Sequence, residues 1–246
     1  MTIHATEFEF RHRFWFIAGI FSVAFLCYVL DRTNVSVALS KMICAAGKPG
    51  TWGGMAVCIR SFFIFGAALT VAAALVRTWA TAYLHSSIVH DGRLHADRLV
   101  ADGPYRRLRN PLYLGTVLVA AGTGFLASRA GIVMLVGGMV LFTYRLILRE
   151  EAGLLASQGE SYRRYLQRVP RFLPALKPAI PSAGSKPDWV DGFAGELFIW
   201  GCAGGMILFA ATEKLAFYWI PLITGFLLTA LRNSRRRRAA EKPASR

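Results

Sequence analysis

Six apolar runs, at 14–30, 61–84, 112–128, 130–148, 193–211 and 215–231, leave this chain few ways to fold. Crossing the hydrocarbon core of a bilayer takes about 20 helical residues, with roughly 17 as the lower limit. All six reach that range, and the third and the last lie near its short end. In lipid a segment must satisfy its own backbone hydrogen bonds, which a helix does. The expectation is an all-α, polytopic transmembrane protein with about six membrane helices. Composition agrees: 54% of residues are hydrophobic, mean hydropathy is +0.41, and the apolar residues come in long blocks, unlike those of a soluble domain.

The net charge of +15 is distributed as a membrane protein's charge would be, and carries no nucleic-acid recognition motif. Lys and Arg concentrate in the N-terminal tail, 85–111, 149–192 and 232–246, all on one side of the six crossings. The other side holds four in 31–60 together with Arg129 and Lys214. That asymmetry predicts a multi-pass protein of a bacterial inner membrane with both termini cytoplasmic. The run Arg235–Arg238 reads as a topology anchor against anionic lipid. The first apolar run lacks a small-residue cleavage signature and reads as a retained helix.

The polar stretches divide the chain into an N-terminal helix and outer loop (1–60), a central membrane core (61–174), a linker (175–192), and a C-terminal hairpin with a basic tail (193–246). Residues 1–13 read as a charged lead-in. Gly103-Pro104 predicts a turn. Beyond 158, Tyr162, Tyr165, Leu166 and Val169 follow helical spacing with arginines between them, the pattern of an amphipathic helix along the inner membrane surface.

Two polar strings stand out. Gly103-Pro104-Tyr105-Arg106-Arg107-Leu108-Arg109-Asn110-Pro111-Leu112-Tyr113-Leu114-Gly115 precedes two apolar runs, and Arg149-Glu150-Glu151 follows them. A chain that crosses a membrane and returns ends on the side it left. The hairpin therefore places an Arg/Asn/Tyr cluster and a carboxylate pair at one face. Acidic residues at the end of a membrane helix oppose its dipole, which favours a functional role for Glu150 and Glu151.

The order Gly-Pro-Tyr-x-x-x-Arg-Asn-Pro-x-Tyr-x-Gly, a hydrophobic hairpin, Arg-Glu-Glu-x-x-Leu, and then Gly159, Tyr162, Tyr165, Val169, Pro170 and Pro174 resembles one family. It is the integral-membrane methyltransferases typified by isoprenylcysteine carboxyl methyltransferase and the phospholipid N-methyltransferases. The resemblance covers about 61–174. It implies a helical fold without a Rossmann domain and an S-adenosyl-L-methionine site at the cytoplasmic face. By motif position, Tyr105, Arg109, Asn110, Tyr113, Gly115, Glu150, Glu151 and Tyr165 would bind the cofactor, with Arg109, Glu150 and Glu151 serving catalysis. Asn110 stands where the isoprenylcysteine enzymes usually carry His, and where phospholipid and many bacterial members carry Asn. The implied partners are membrane lipid and a lipophilic acceptor, whose identity stays open, as does the oligomeric state.

The residue chemistry is compatible. Arg109 can hold a carboxylate in a bidentate pair, the glutamates can accept from an ammonium or ribose hydroxyls, and Asn110 can donate and accept toward adenine. Two other classes remain: an NADPH-dependent reductase of the sterol-reductase type, whose Arg/Pro/Tyr string is comparable, and a non-catalytic membrane scaffold. Arg77 and Arg145 lie inside apolar runs, where an ionisable group either snorkels or serves function. His85, His90 and His95 recur every five residues, which spreads them around a helix, and predicts no metal site. Cys44 and Cys58 share the outer loop, where a disulfide is possible in an oxidising compartment. Gly122-Thr123-Gly124 sits in a membrane run and reads as a close-packing point.

Overall fold

The computed structural model describes residues 4–46, 54–89 and 101–241, and these are mostly helical, with no β-strand among them. Among the described residues, nine α-helices follow in order: α1 (Glu7–Arg11), α2 (Arg13–Leu26), α3 (Val35–Ala46), α4 (Met55–Val89), α5 (Pro111–Gly124), α6 (Arg129–Arg168), α7 (Trp189–Gly195), α8 (Leu197–Thr212) and α9 (Leu215–Glu241). Every apolar run of the sequence lies mainly within one helix or, for 193–211, a helix pair. Three of them, α4, α6 and α9, are long and apolar enough to cross a membrane. The α7–α8 pair, bent by 66°, makes a fourth candidate, while Arg13–Val29 and Pro111–Gly124 are shorter apolar helices. The chain is an all-α membrane protein.

Close helix packing explains the order of the bundle. At the α4–α5 crossing, a Cβ on Gly66 would meet the Gly122 carbonyl oxygen at 2.6 Å, and one on Gly122 would meet that of Gly66 at 2.5 Å. Only residues without side chains let the two backbones approach so closely. On one flank, Ala24 of α2, Val117 and Ala120 of α5, and Leu135 and Met139 of α6 form a buried cluster. On the other, Phe63 and Ala67 of α4 pack with Met206 and Ala210 of α8 and Tyr218 of α9. Large apolar side chains stay exposed on the outer faces of α6 and α9, among them Val133, Leu141, Phe226 and Leu227, as lipid-facing surfaces require.

Several polar segments are more ordered than their composition suggests. The lead-in contains α1, started by a capping box between Thr6 and Glu9. Helix α6 runs on past the carboxylates to Arg168, with one non-helical residue, Gly159 (φ 56°), where the backbone breaks. Beyond the break, Tyr162, Tyr165 and Val169 are buried against Leu155, Ala101 and Ile180. The apolar face of this amphipathic segment thus packs on protein, against the segment before the first polar string and the linker. Buried Asp102 gathers the linker, accepting from the Ser182 hydroxyl and from the amides of Ala183 and Ser185. His90, His95 and Gly47–Gly50 lie outside the described residues, as do the side chains of His85 and Cys44.

Candidate functional site

The first polar string begins with a turn that only glycine permits. Gly103 has φ +57°, and a Cβ there would run into the Tyr83 ring. Residues Gly103–Arg106 then form a 3-10 turn with Pro104 near its start. Asn110 is the residue before α5, and Pro111 occupies the first helical position, where its missing N–H costs nothing. The Val169-Pro170 end of α6 closes over this string: the Arg109 amide donates to the Pro170 carbonyl at 2.9 Å. The Asn110 side chain donates to the Arg171 carbonyl at 3.1 Å.

The second string meets the first through side chains. Tyr113 O–H donates to Glu150 Oε1 at 2.8 Å, and Asn110 Nδ2 donates to Glu151 Oε1 at 3.2 Å. Arg109 approaches the same Glu151 oxygen at 3.5 Å, while Arg171 holds Glu151 Oε2 at 3.0 Å. Arg171 in turn donates to the Tyr144 hydroxyl at 3.0 Å. Buried Glu151 is thus surrounded by two guanidiniums and an amide. That arrangement compensates a charge that would be costly alone. Glu150 has the Tyr113 hydroxyl as its one hydrogen-bond partner among the described residues, which leaves an oxygen open.

These groups surround a cavity of about 410 Å³ whose wall includes Tyr105, Arg109, Asn110, Tyr113, Glu150, Glu151, Tyr162 and Tyr165, together with Arg13, Leu112 and Gln158. Tyr165 is fixed by donating to the Tyr105 carbonyl at 2.8 Å. Burial pushes the Tyr105 phenol well above its ordinary value, so it stays protonated at neutral pH. Two buried polar atoms in this wall have no partner: Arg109 Nε and Gln158 Oε1. An unsatisfied buried group costs about 1–3 kcal/mol, so one donor and one acceptor here call for a polar ligand.

Seven of the eight expected binding residues therefore line one cavity. Gly115 does not; its missing side chain makes room for the aliphatic part of Arg77. Arg77 itself binds Glu196 of the C-terminal region at 2.7 Å and donates to Thr116 Oγ1 at 3.0 Å. Arg145 pairs with Glu9 at 2.8 Å. Both intramembrane arginines thus serve as inter-helix ties. Gln158 and Arg171 were missed by sequence reasoning. Their only signal was adjacency to the Gly159 and Val169-Pro170 motif positions.

Comparison with known proteins bears on this same region. Residues 61–158 match the phospholipid methyltransferase family. The stretch takes in α4 from Ser61 onward, α5, and α6 as far as Gln158, and so includes both polar strings. Among curated proteins, the chain is 34% identical over 93 residues to a protein-S-isoprenylcysteine O-methyltransferase of Schizosaccharomyces pombe, covering 37% of this chain and 39% of that one. It is 28% identical over 146 residues to the cobalt-zinc-cadmium resistance protein CzcN of Cupriavidus metallidurans, covering 59% of this chain and 62% of that one. The chain thus spans less than two thirds of either relative's length. No solved structure matches. Among the described residues no group of three or more His, Cys, Asp or Glu could hold a metal ion.

Proposed function

We propose that this chain transfers a methyl group from S-adenosyl-L-methionine to a lipophilic or membrane-associated acceptor at the cytoplasmic face of an inner membrane. The observation that carries the reading is the cavity wall itself. Two strings separated by a membrane hairpin meet there, and Arg109 Nε and Gln158 Oε1 are left without partners. The family match over 61–158 and the likeness to an isoprenylcysteine methyltransferase support it.

The donor set suits such a cofactor. Arg109 would take its carboxylate, the open oxygen of Glu150 would accept from its ammonium or ribose, and Gln158 would accept from a second N–H or hydroxyl. A volume of about 410 Å³ falls within the roughly 300–1,000 Å³ usual for small-ligand sites. When bound, the cofactor would supply an electrophilic sulfonium methyl for displacement by an acceptor lone pair, with the S–CH3 electron pair staying on sulfur. The chain's own task is alignment and exclusion of water. Tyr105, Tyr162 and Tyr165 wall the cavity, and Glu151 holds Arg109 in place. An amine acceptor must first give up its ammonium proton before its lone pair can attack.

Calorimetric titration of the purified protein in detergent tests the assignment. Arg109→Ala and Glu150→Ala should each weaken S-adenosyl-L-methionine binding by at least about tenfold, which is ~1.4 kcal/mol. Unchanged affinity in both variants rejects the site. Binding of NADPH by the unaltered protein would instead support a reductase, and a folded protein that binds neither would be a scaffold.

A further inference from the structure

A second and larger cavity, of about 800 Å³, lies between α2, α5 and the α8–α9 hairpin. Its walls include Phe21 of α2, Val119 of α5, Phe198 and Ile199 of α8, and Trp219 and Leu222 of α9. Four of its five hydroxyls are already engaged with carbonyls of the protein. Ser22 donates to Ala18, Tyr28 to Leu126, Thr116 to Leu112 and Thr123 to Val119. A cleft so lined offers a ligand little to hydrogen-bond, and its natural occupant is hydrocarbon.

The two cavities share two walls. On α2, Arg13 lines the polar cavity and Ile17, one turn further, lines the apolar cleft. On α5, Leu112 lines the polar cavity and Thr116, again one turn further, lines the cleft. A turn is about 5.4 Å, so both helix faces pass from one cavity to the other within that distance. Ile17 of the cleft and Tyr113 of the polar cavity also pack against the same buried cluster, around Phe142 and Leu146. Arg13, whose guanidinium lies 4.8 Å from the centre of the Phe10 ring, puts a cation in the polar cavity's wall one turn from the cleft.

We propose that this cleft holds the hydrocarbon tail of an anionic amphiphile whose head lies beside Arg13 and reaches the polar cavity. The occupant's role as methyl acceptor rests on the function proposed above. The α8–α9 hairpin lies outside the family-matched residues 61–158, yet it supplies one side of the cleft. Acceptor selectivity is thereby a property of this hairpin, with Phe198, Ile199, Trp219 and Leu222 deciding which tails fit.

The test uses the full chain in nanodiscs and a long-chain fatty acid carrying a diazirine in its tail, with adducts mapped by mass spectrometry after irradiation. Adducts should concentrate on Phe21, Ile199 and Leu222, and Ile199→Trp, which fills the cleft, should lower them at least about tenfold, or ~1.4 kcal/mol. The corresponding fatty alcohol should label these residues more weakly; equal labelling overturns the anionic head. Adducts spread evenly over the outer face of α6, at Val133 and Leu141, overturn the tail site even if Ile199→Trp fails to fold. Donor affinity measured on the same samples separates the two ideas. Cleft labelling without donor binding rejects methyl transfer and keeps the tail site, whereas donor binding with even labelling rejects the tail site alone.

Discussion

Tyr113 and Gly115 sit two positions apart on α5 and do different work. The Tyr113 hydroxyl is the group that orients Glu150, and a hydrogen bond to a charged partner is worth about 1.5–3 kcal/mol. Tyr113→Phe should therefore leave the fold intact and weaken donor binding by roughly tenfold or more, read by titration. Gly115→Ala instead drives a methyl into the Arg77 chain. Arg77 cannot step aside, being held by Glu196, the Leu112 carbonyl and Thr116. Overpacking of this kind costs about 1–3 kcal/mol, seen as a lowered thermal midpoint with donor affinity preserved in the folded fraction. At this scale the sequence exposed most of the cavity, because Arg, Asn, Tyr and paired Glu beside apolar runs are expensive enough to stand out. Gln158 did not stand out, since glutamine is an ordinary helix residue. Glu196 was equally silent: its partner lies 119 positions away.

Among the elements, α1 shows how a charged lead-in becomes structural. Thr6 and Glu9 start the helix by capping each other's backbone, and the segment is then held against α6. Glu9 pairs with Arg145, and Glu7 with Arg149, the residue just before Glu150. The Glu9–Arg145 pair is partly shielded, at 16% and 29% side-chain exposure, so more than a surface pair is at stake. A double-mutant cycle of Glu9→Ala and Arg145→Ala should give a coupling of about 1 kcal/mol in thermal unfolding, and zero coupling would mean that this ion pair does not hold α1 against α6. Helix existence was legible from the apolar runs, since lipid leaves the backbone no alternative. The fate of the amphipathic stretch after Gly159 was not. Its arginine-flanked apolar face suits a membrane surface and a protein surface equally, and the linker it meets carries no local signal.

For the molecule as a whole, Asp102 links the central core to the linker. Burial disfavours its charge, but the Ser182 hydroxyl and the amides of Ser185 and Ala183 outweigh that, so its carboxyl titrates below the usual value. A depressed folded-state pKa contributes stability that is full above the unfolded-state pKa, about 3.9 for Asp, and is lost as pH falls through that value toward the folded one. The thermal midpoint should accordingly drop on acidification from about pH 6 to about pH 3, and Asp102→Asn should lower the midpoint at pH 6 while flattening that drop. An identical acid limb in wild type and variant would show that the contact does not matter. The sequence by itself determined the all-α membrane class, the two polar strings and their placement at one end of a hairpin, because hydrophobic length and charge cost are local properties of the chain. Only the tertiary structure decided which carboxylate is enclosed and which stays open. It alone revealed that Arg77 and Arg145 tie helices together, and that the C-terminal hairpin walls an apolar cleft beside the polar cavity. Those outcomes depend on contacts between segments dozens of residues apart, and no spacing rule along one strand of sequence encodes which distant faces will meet.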